Sequence, residues 1–320
     1  MKRINRAIEL LEQDQAIYYA GQHTGHVLTY AQGKEDAATW ADYINVGMEH
    51  GSFDMAGLAE YMRGLVDGGP TNSGHRTPAV IVEAPVRGTD KAGVLANCWQ
   101  VRQILARGVH GVLLCQAESA ESVRAFVEAA RYPQHAAGVD PALPTPLERM
   151  RGLGQPAASR PGRGATGAML GVGTRGLGSE ATAAAIWGVS REEYMERSDP
   201  WPLNARGELL LGVKIESPEG VANCEKVLAV PGLGFAEMGP GDLGLSLGYL
   251  TVPRDPYPPE MREARDRVFA ACRKNRIAYL EVCSPANIVA KLDEGVRVIA
   301  GHSREAAAIG RAHQKRVMPV

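Results

Sequence analysis

Short apolar runs rich in β-branched and aromatic residues alternate along the chain with longer segments of helical period, the pattern of parallel βαβ units. Eight such runs stand out, at 16–20, 43–48, 79–83, 111–115, 209–216, 235–238, 278–282 and 296–300. Amphipathic stretches at 55–67, 95–107, 119–130, 221–228, 260–275 and 285–293 lie between them and suit the outside of a barrel wall. Residues 303–314 read as a final helix that packs on its own barrel or on another subunit's. Eight repeats predict a closed (β/α)8 TIM barrel, a single domain over residues 1–320. A doubly wound open sheet uses the same alternation, but it would bring a Gly-rich dinucleotide fingerprint. The Gly-x-Gly-x-x-Gly at 171–176 follows a Pro/Gly loop rather than a buried strand, so it is not read as a nucleotide site. The stretch 133–173, dominated by Pro, Gly, Ala and Arg, breaks the rhythm after the fourth βα unit. It reads as a long insertion, either a lid over the catalytic face or a surface or subunit contact.

Composition narrows the partners. A 45% hydrophobic and 22% charged chain of 320 residues supplies a sizeable core. Net charge is −1 with both signs scattered, so neither nucleic acid nor a membrane surface is expected and a small molecule is. Five cysteines form no Cys-x-x-Cys pair, which argues against a disulfide framework or a thiolate zinc site and suits a reducing cytoplasm. The charged first twenty residues do not read as a leader, and no apolar run approaches the roughly 20 residues that span a bilayer.

Two strand ends carry the candidate chemistry. Leu211-Gly-Val-Lys-Ile-Glu-Ser-Pro-Glu-Gly220 and Phe235-Ala-Glu-Met-Gly-Pro-Gly-Asp-Leu243 finish consecutive strands, and C-terminal strand ends form the active face of a barrel. Glu216 and Asp242 then project toward one point. Converging carboxylates with open positions suit Mg2+ or Mn2+, other transition metals being admissible, and such an ion stabilises the enolate of a 2-oxo acid. The turn Gly239-Pro-Gly-Asp-Leu243 exposes N–H groups ahead of a short helix, where those of Gly241 and Asp242 would hold a substrate carboxylate. Taken singly, Asp242 also reads as an N-cap and Glu216 as a rim carboxylate.

The chain resembles the metal-dependent 2-oxo-acid aldolases of the HpcH/HpaI group, which includes 4-hydroxy-2-oxoheptanedioate aldolase and 2-dehydro-3-deoxyglucarate aldolase. The resemblance rests on Gly-Met-Glu-His-Gly-Ser-Phe-Asp at 47–54, Gly-Val-Leu-Leu-Cys-Gln-Ala-Glu-Ser at 111–119, Ala-Arg-Tyr-Pro at 130–133, Thr-Arg-Gly-Leu-Gly at 174–178, Ile-Glu-Ser at 215–217 and Gly-Pro-Gly-Asp-Leu-Gly-Leu-Ser-Leu-Gly-Tyr at 239–249. It implies the barrel, Glu216 and Asp242 as metal ligands, the Gly241 and Asp242 amides on the carboxylate, and a homo-oligomer, a trimer or a hexamer built from trimers with exchanged C-terminal helices. It also places His50 where the group has a proton-transfer histidine, which Glu49 would orient. Gln116 and Arg175 lie on matching segments as substrate-binding candidates, although Arg175 also reads as a loop brace.

Three departures concern charge. Where the group has arginine in a Val-Arg-x-Pro pattern, this chain has Val82-Glu83-Ala84-Pro85, with Arg87 nearby as a substitute cation. Lys214 stands two residues before Glu216, on the same face of its strand. The aspartate of a Leu-Asp-x-Gly pattern is replaced by Ala106. Glu83 and Lys214 read as a linked change that neutralises itself in the barrel mouth, with solvent-exposed side chains or a Schiff-base Lys214 as the other readings. The resulting expectation is a metal-dependent carbon–carbon lyase acting on a 4-hydroxy-2-oxo acid to give an aldehyde and a pyruvate-type enolate. Its rivals are an acyl-CoA lyase of the citrate lyase β type, an oxaloacetate decarboxylase or a synthase on the same scaffold, and a metabolite-binding barrel without turnover.

Overall fold

The apolar runs form strands Ile17–Gln22 (β1), Tyr43–Gly47 (β2), Ala79–Arg87 (β3) and Gly111–Cys115 (β4). Pro200–Trp201 (β5), Leu209–Ile215 (β6), Phe235–Met238 (β7), Ala278–Val282 (β8) and Val298–Ala300 (β9) follow. In this computed structural model, which describes residues 2–144, 146–151 and 169–320, all pairings between these strands are parallel. Eight of them run in the order β4-β3-β2-β1-β9-β8-β7-β6, and β6 pairs with β4, so the sheet closes into a (β/α)8 barrel. The two residues of β5 add only to the start of β6.

Helices return along the outside, and their starts follow a common chemistry. Asp54, Asp90, Ser119, Ser217 and Ser303 each accept an N–H from the residue three positions on, which caps the helices after β2, β3, β4, β6 and β9. Such caps contribute about 1 kcal/mol each. Two cores result. One lies between strands and helices, with Val80, Val112 and Val213 facing Leu58, Ile104 and Phe126. The other plugs the barrel itself with Ile17, Tyr19, Tyr43, Ile81, Leu113, Leu210, Phe235 and Leu280. A Cβ on Gly212 would fall 2.4 Å from the Phe235 ring, so the glycine is what admits that ring to the plug.

One difference from the sequence reading matters. The third strand does not end at Glu83: its register against β4 slips between Glu83 and Arg87, so Arg87 pairs with Cys115 and stands on the rim. Pro85, which lacks an N–H, falls in this bulge. Of the two neighbours expected for the final helix, Arg304–His313, its own barrel is the one it packs on in this chain. Behind it Arg316 donates to both Asp42 oxygens at 2.7 and 2.9 Å, and Asp42 also takes the Tyr18 N–H at 3.0 Å.

Residues 145 and 152–168, within the stretch read as an insertion, lie outside the described residues. Its described ends return to the barrel wall, where Leu170 is buried and bonds Gly138 and Asp140 through its backbone. Among the described residues no helix is long and apolar enough to cross a membrane.

Candidate metal centre

Period two along each strand places Asn45 of β2, Glu83 of β3, Cys115 of β4, Lys214 of β6 and Glu237 of β7 on the inner face, one step above the apolar plug. Glu49 joins this polar layer from the loop after β2. Lys214 Nζ donates to Glu83 Oε2 and to Glu49 Oε2, both at 3.1 Å, and all three side chains are at most 7% exposed. Asn45 donates to the other Glu83 oxygen at 2.7 Å, and His23 Nδ1 lies 2.7 Å from that same oxygen. The structure thus brings Glu83 and Lys214 together and keeps both from solvent.

These contacts set the charges. Burial alone would raise the Glu83 pKa, yet His23, then Lys214 and Asn45, hold it down to about 2. Burial opposes the Lys214 charge, but Cys115 and the Glu83, Glu237 and Glu216 carboxylates keep its pKa above the ordinary lysine value. Such an ammonium is a poor amine nucleophile. Burial pushes Glu216 up to about 8 and Glu237 to about 7, despite the attraction of Lys214 in each case. One Glu237 oxygen is buried without a hydrogen-bond partner.

Glu216 follows β6 directly, and its Oε1 accepts the Gln116 N–H at 2.7 Å. Gln116 has φ of 49°, a left-handed conformation costly for a residue with a side chain, and it lies where the chain leaves β4 for the next loop. A Cβ on Gly239 would lie 2.4 Å from Glu216 Oε2, so the glycine leaves room for the carboxylate. Asp242 stands in the first turn of helix Pro240–Ser246. The N–H groups of Gly241 and Asp242 precede the first helical bond, Leu243 N–H to the Gly239 carbonyl, and a Cβ on Gly241 would meet open space. Glu216 and Asp242 line one cavity of about 350 Å³ together with Arg87, Gln116, Glu118 and Leu245.

Glu49 links the two expected ligands. An oxygen of Glu49, Cys115 Sγ and an oxygen of Glu216 lie within 4.8 Å of one another, and Glu49, His50 and Asp242 form a second such set. His50 Nε2 is 3.6 Å from Glu49 and 3.9 Å from Asp242, and its ring is half-exposed. Four buried carboxylates facing one ammonium leave the layer short of positive charge, and converging acidic donors of this kind fit a divalent cation.

Arg87 is exposed on the cavity rim, and its guanidinium makes no ion pair or hydrogen bond among the described residues. Of the two readings of Arg175, substrate contact and brace, the geometry fits the brace: its guanidinium is buried over the Tyr132 and Tyr194 rings, at 4.6 and 5.2 Å, and donates to the Tyr194 hydroxyl at 2.6 Å. Tyr194 in turn bonds the Leu105 carbonyl, so Arg175 braces helices on the barrel flank. Sequence reasoning missed His23, Asn45, Cys115 and Glu237, and gave Glu49 only a supporting part. The signal that could have found the strand residues is the same inward period that singled out Lys214.

Known proteins agree with this architecture. The hydroxypyruvate/pyruvate aldolase of Chromohalobacter salexigens is 28% identical over 172 residues, 53% of this chain and 50% of that protein, so the match spans about half the length of that relative. The hydroxypyruvate/pyruvate aldolase of Paraburkholderia phytofirmans is 24% identical over 260 residues, 81% of this chain and 77% of that one. The crystal structure of an HpcH/HpaI aldolase from Desulfitobacterium hafniense superposes with a TM-score of 0.61 at 18% identity, covering 97% of this chain and 96% of that one, a likeness of fold. Residues 83–306, which include the bulged end of β3 and both candidate ligands, match the model of the HpcH/HpaI aldolase/citrate lyase family, and the chain belongs to that family.

Proposed function

We propose that the chain is a metal-dependent aldolase that cleaves or forms 4-hydroxy-2-oxo acids. The observation that carries this reading is the meeting of Glu216 and Asp242 on one cavity, with Glu49 within ligand distance of both. Glu216 and Asp242 would hold a divalent ion, Mg2+ or Mn2+ or another transition metal, which when bound supplies positive charge to the ketone oxygen as the enolate develops. The first-turn N–H groups of Gly241 and Asp242 receive the substrate carboxylate. Exposed Arg87 offers the cavity a cation on the strand that carries Glu83. His50, between Glu49 and Asp242 and open to solvent, takes the proton of the C4 hydroxyl as the C3–C4 bond breaks. It returns that proton to C3 of the enolate, leaving an aldehyde and a pyruvate-type acid. Gln116 holds the Glu216 carboxylate through its N–H. Glu83 acts through Lys214, fixing the ammonium that orients Glu49.

The test is pyruvate release from 4-hydroxy-2-oxo acids by the purified chain, read by coupling to lactate dehydrogenase. Turnover should vanish in chelator and return with Mg2+ or Mn2+, and Glu216→Ala and Asp242→Ala should each lower kcat by about a hundredfold or more. Full activity in chelator would overturn the mechanism. Glu83 in place of the family's arginine gives a second reading, an enolate enzyme of another kind, which loss of CO2 from oxaloacetate or cleavage of CoA thioesters would reveal. A trimer or hexamer, read by light scattering, and a cytoplasmic setting suited to five free cysteines complete the proposal.

A further inference from the structure

Cys115 has no part in the reaction just described. It ends β4 facing the barrel interior, is fully buried, and its thiol makes no hydrogen bond among the described residues. An unpartnered thiol is ordinary in an apolar core. Here its neighbours within 4.8 Å are an oxygen of Glu49 and an oxygen of Glu216, which come from two other strand ends. Each carboxylate also keeps an oxygen free of the contacts that orient it, because Lys214 takes Glu49 Oε2 and Gln116 takes Glu216 Oε1.

We propose that Glu49, Cys115 and Glu216 form a sulfur-containing ligand set, so that this centre takes a divalent transition ion such as Co2+ or Zn2+ in preference to Mg2+. The proposal rests on the reading of Glu216 as a metal ligand and deepens it by naming the class of ion. The binding step balances simply: the S–H bond breaks, its proton leaves to solvent, and the sulfur electron pair goes to the ion. Glu49, Glu216 and the thiolate then offset the dication, with Asp242, water and substrate oxygens in the remaining positions. An all-oxygen set favours Mg2+, whereas one sulfur donor shifts preference toward the later first-row ions.

The experiment titrates metal-free, full-length protein with cobalt chloride alone, following both the heat of binding and the near-ultraviolet absorption where thiolate-to-cobalt charge transfer falls. The expected result is one cobalt ion per chain and a charge-transfer band. Cys115→Ser should still bind cobalt but without the band, and its preference for Co2+ over Mg2+ should drop roughly tenfold or more. Cys115→Ala, with circular dichroism to verify folding, repeats the test without a hydroxyl in the site. Cobalt bound by wild type without the band, or a band that survives in both variants, overturns this inference and leaves the metal reading of Glu216 standing. No cobalt binding by wild type overturns both.

Discussion

At the scale of single residues, Lys214 is the hub of the layer, because one ammonium serves Glu49 and Glu83 while burial withholds water from all three. Removing one partner of such a pair leaves an uncompensated buried charge, which costs about 3–5 kcal/mol. Lys214→Met and Glu83→Gln should therefore each lower the urea midpoint sharply, while the double variant loses less than their sum by about 1 kcal/mol or more. Additive losses would separate the two residues. Glu237 gives a pH signature. Its folded pKa, about 7, lies above the ordinary 4.5, so the folded chain holds the proton more tightly than the unfolded chain does. Stability from this group is complete below about pH 4.5 and declines by about 3 kcal/mol as pH rises through 7. Glu237→Gln should flatten the decline measured by urea unfolding between about pH 5 and about pH 8. An unchanged slope would assign the pH dependence to other groups.

At the scale of elements, alternation of apolar runs and helical periods made the closed barrel legible, since each strand buries both faces and reads as a continuous apolar run. The end of β3 was not legible. Pro85 looks like a terminator, and only pairing with β4 shows that the strand continues through a bulge to Arg87. Glu216 and Asp242 could be read because each immediately follows a strand. His23 and Glu49 could not, because their approach to Glu83 and Lys214 depends on loop paths that local pattern does not encode. Arg175 stayed open between substrate contact and brace for a similar reason: its glycine-rich segment has no period, and its partners Tyr132 and Tyr194 are distant in sequence. Contact between β6 and β7 gives a packing test. Gly212→Ala should cost about 1–3 kcal/mol by forcing a methyl group onto the Phe235 ring, and Phe235→Leu in the same chain should recover part of it. Thermal melting of the two variants reads the difference.

At the scale of the whole molecule, Asp42 ties the start of the barrel to its last helix, taking Arg316, Arg311 and the Tyr18 N–H on one buried carboxylate, while buried Arg6 bonds its backbone. Asp42→Ala would take the carboxylate partner from Arg311 and Arg316 and should lower stability by about 3–5 kcal/mol, with faster hydrogen exchange in Arg304–His313 than in the barrel strands. Equal exchange throughout would show that the helix is held by other contacts. The apolar plug has a different reach. Tyr19, Tyr43, Ile81, Leu113, Leu210 and Phe235 seal the base of the barrel at no more than 2% exposure each. The vessel is therefore blind at its lower end: water, ion, substrate and isotopic label all enter and leave by the rim. Whatever comes to rest there shuts the entire charged floor off from bulk solvent at a stroke.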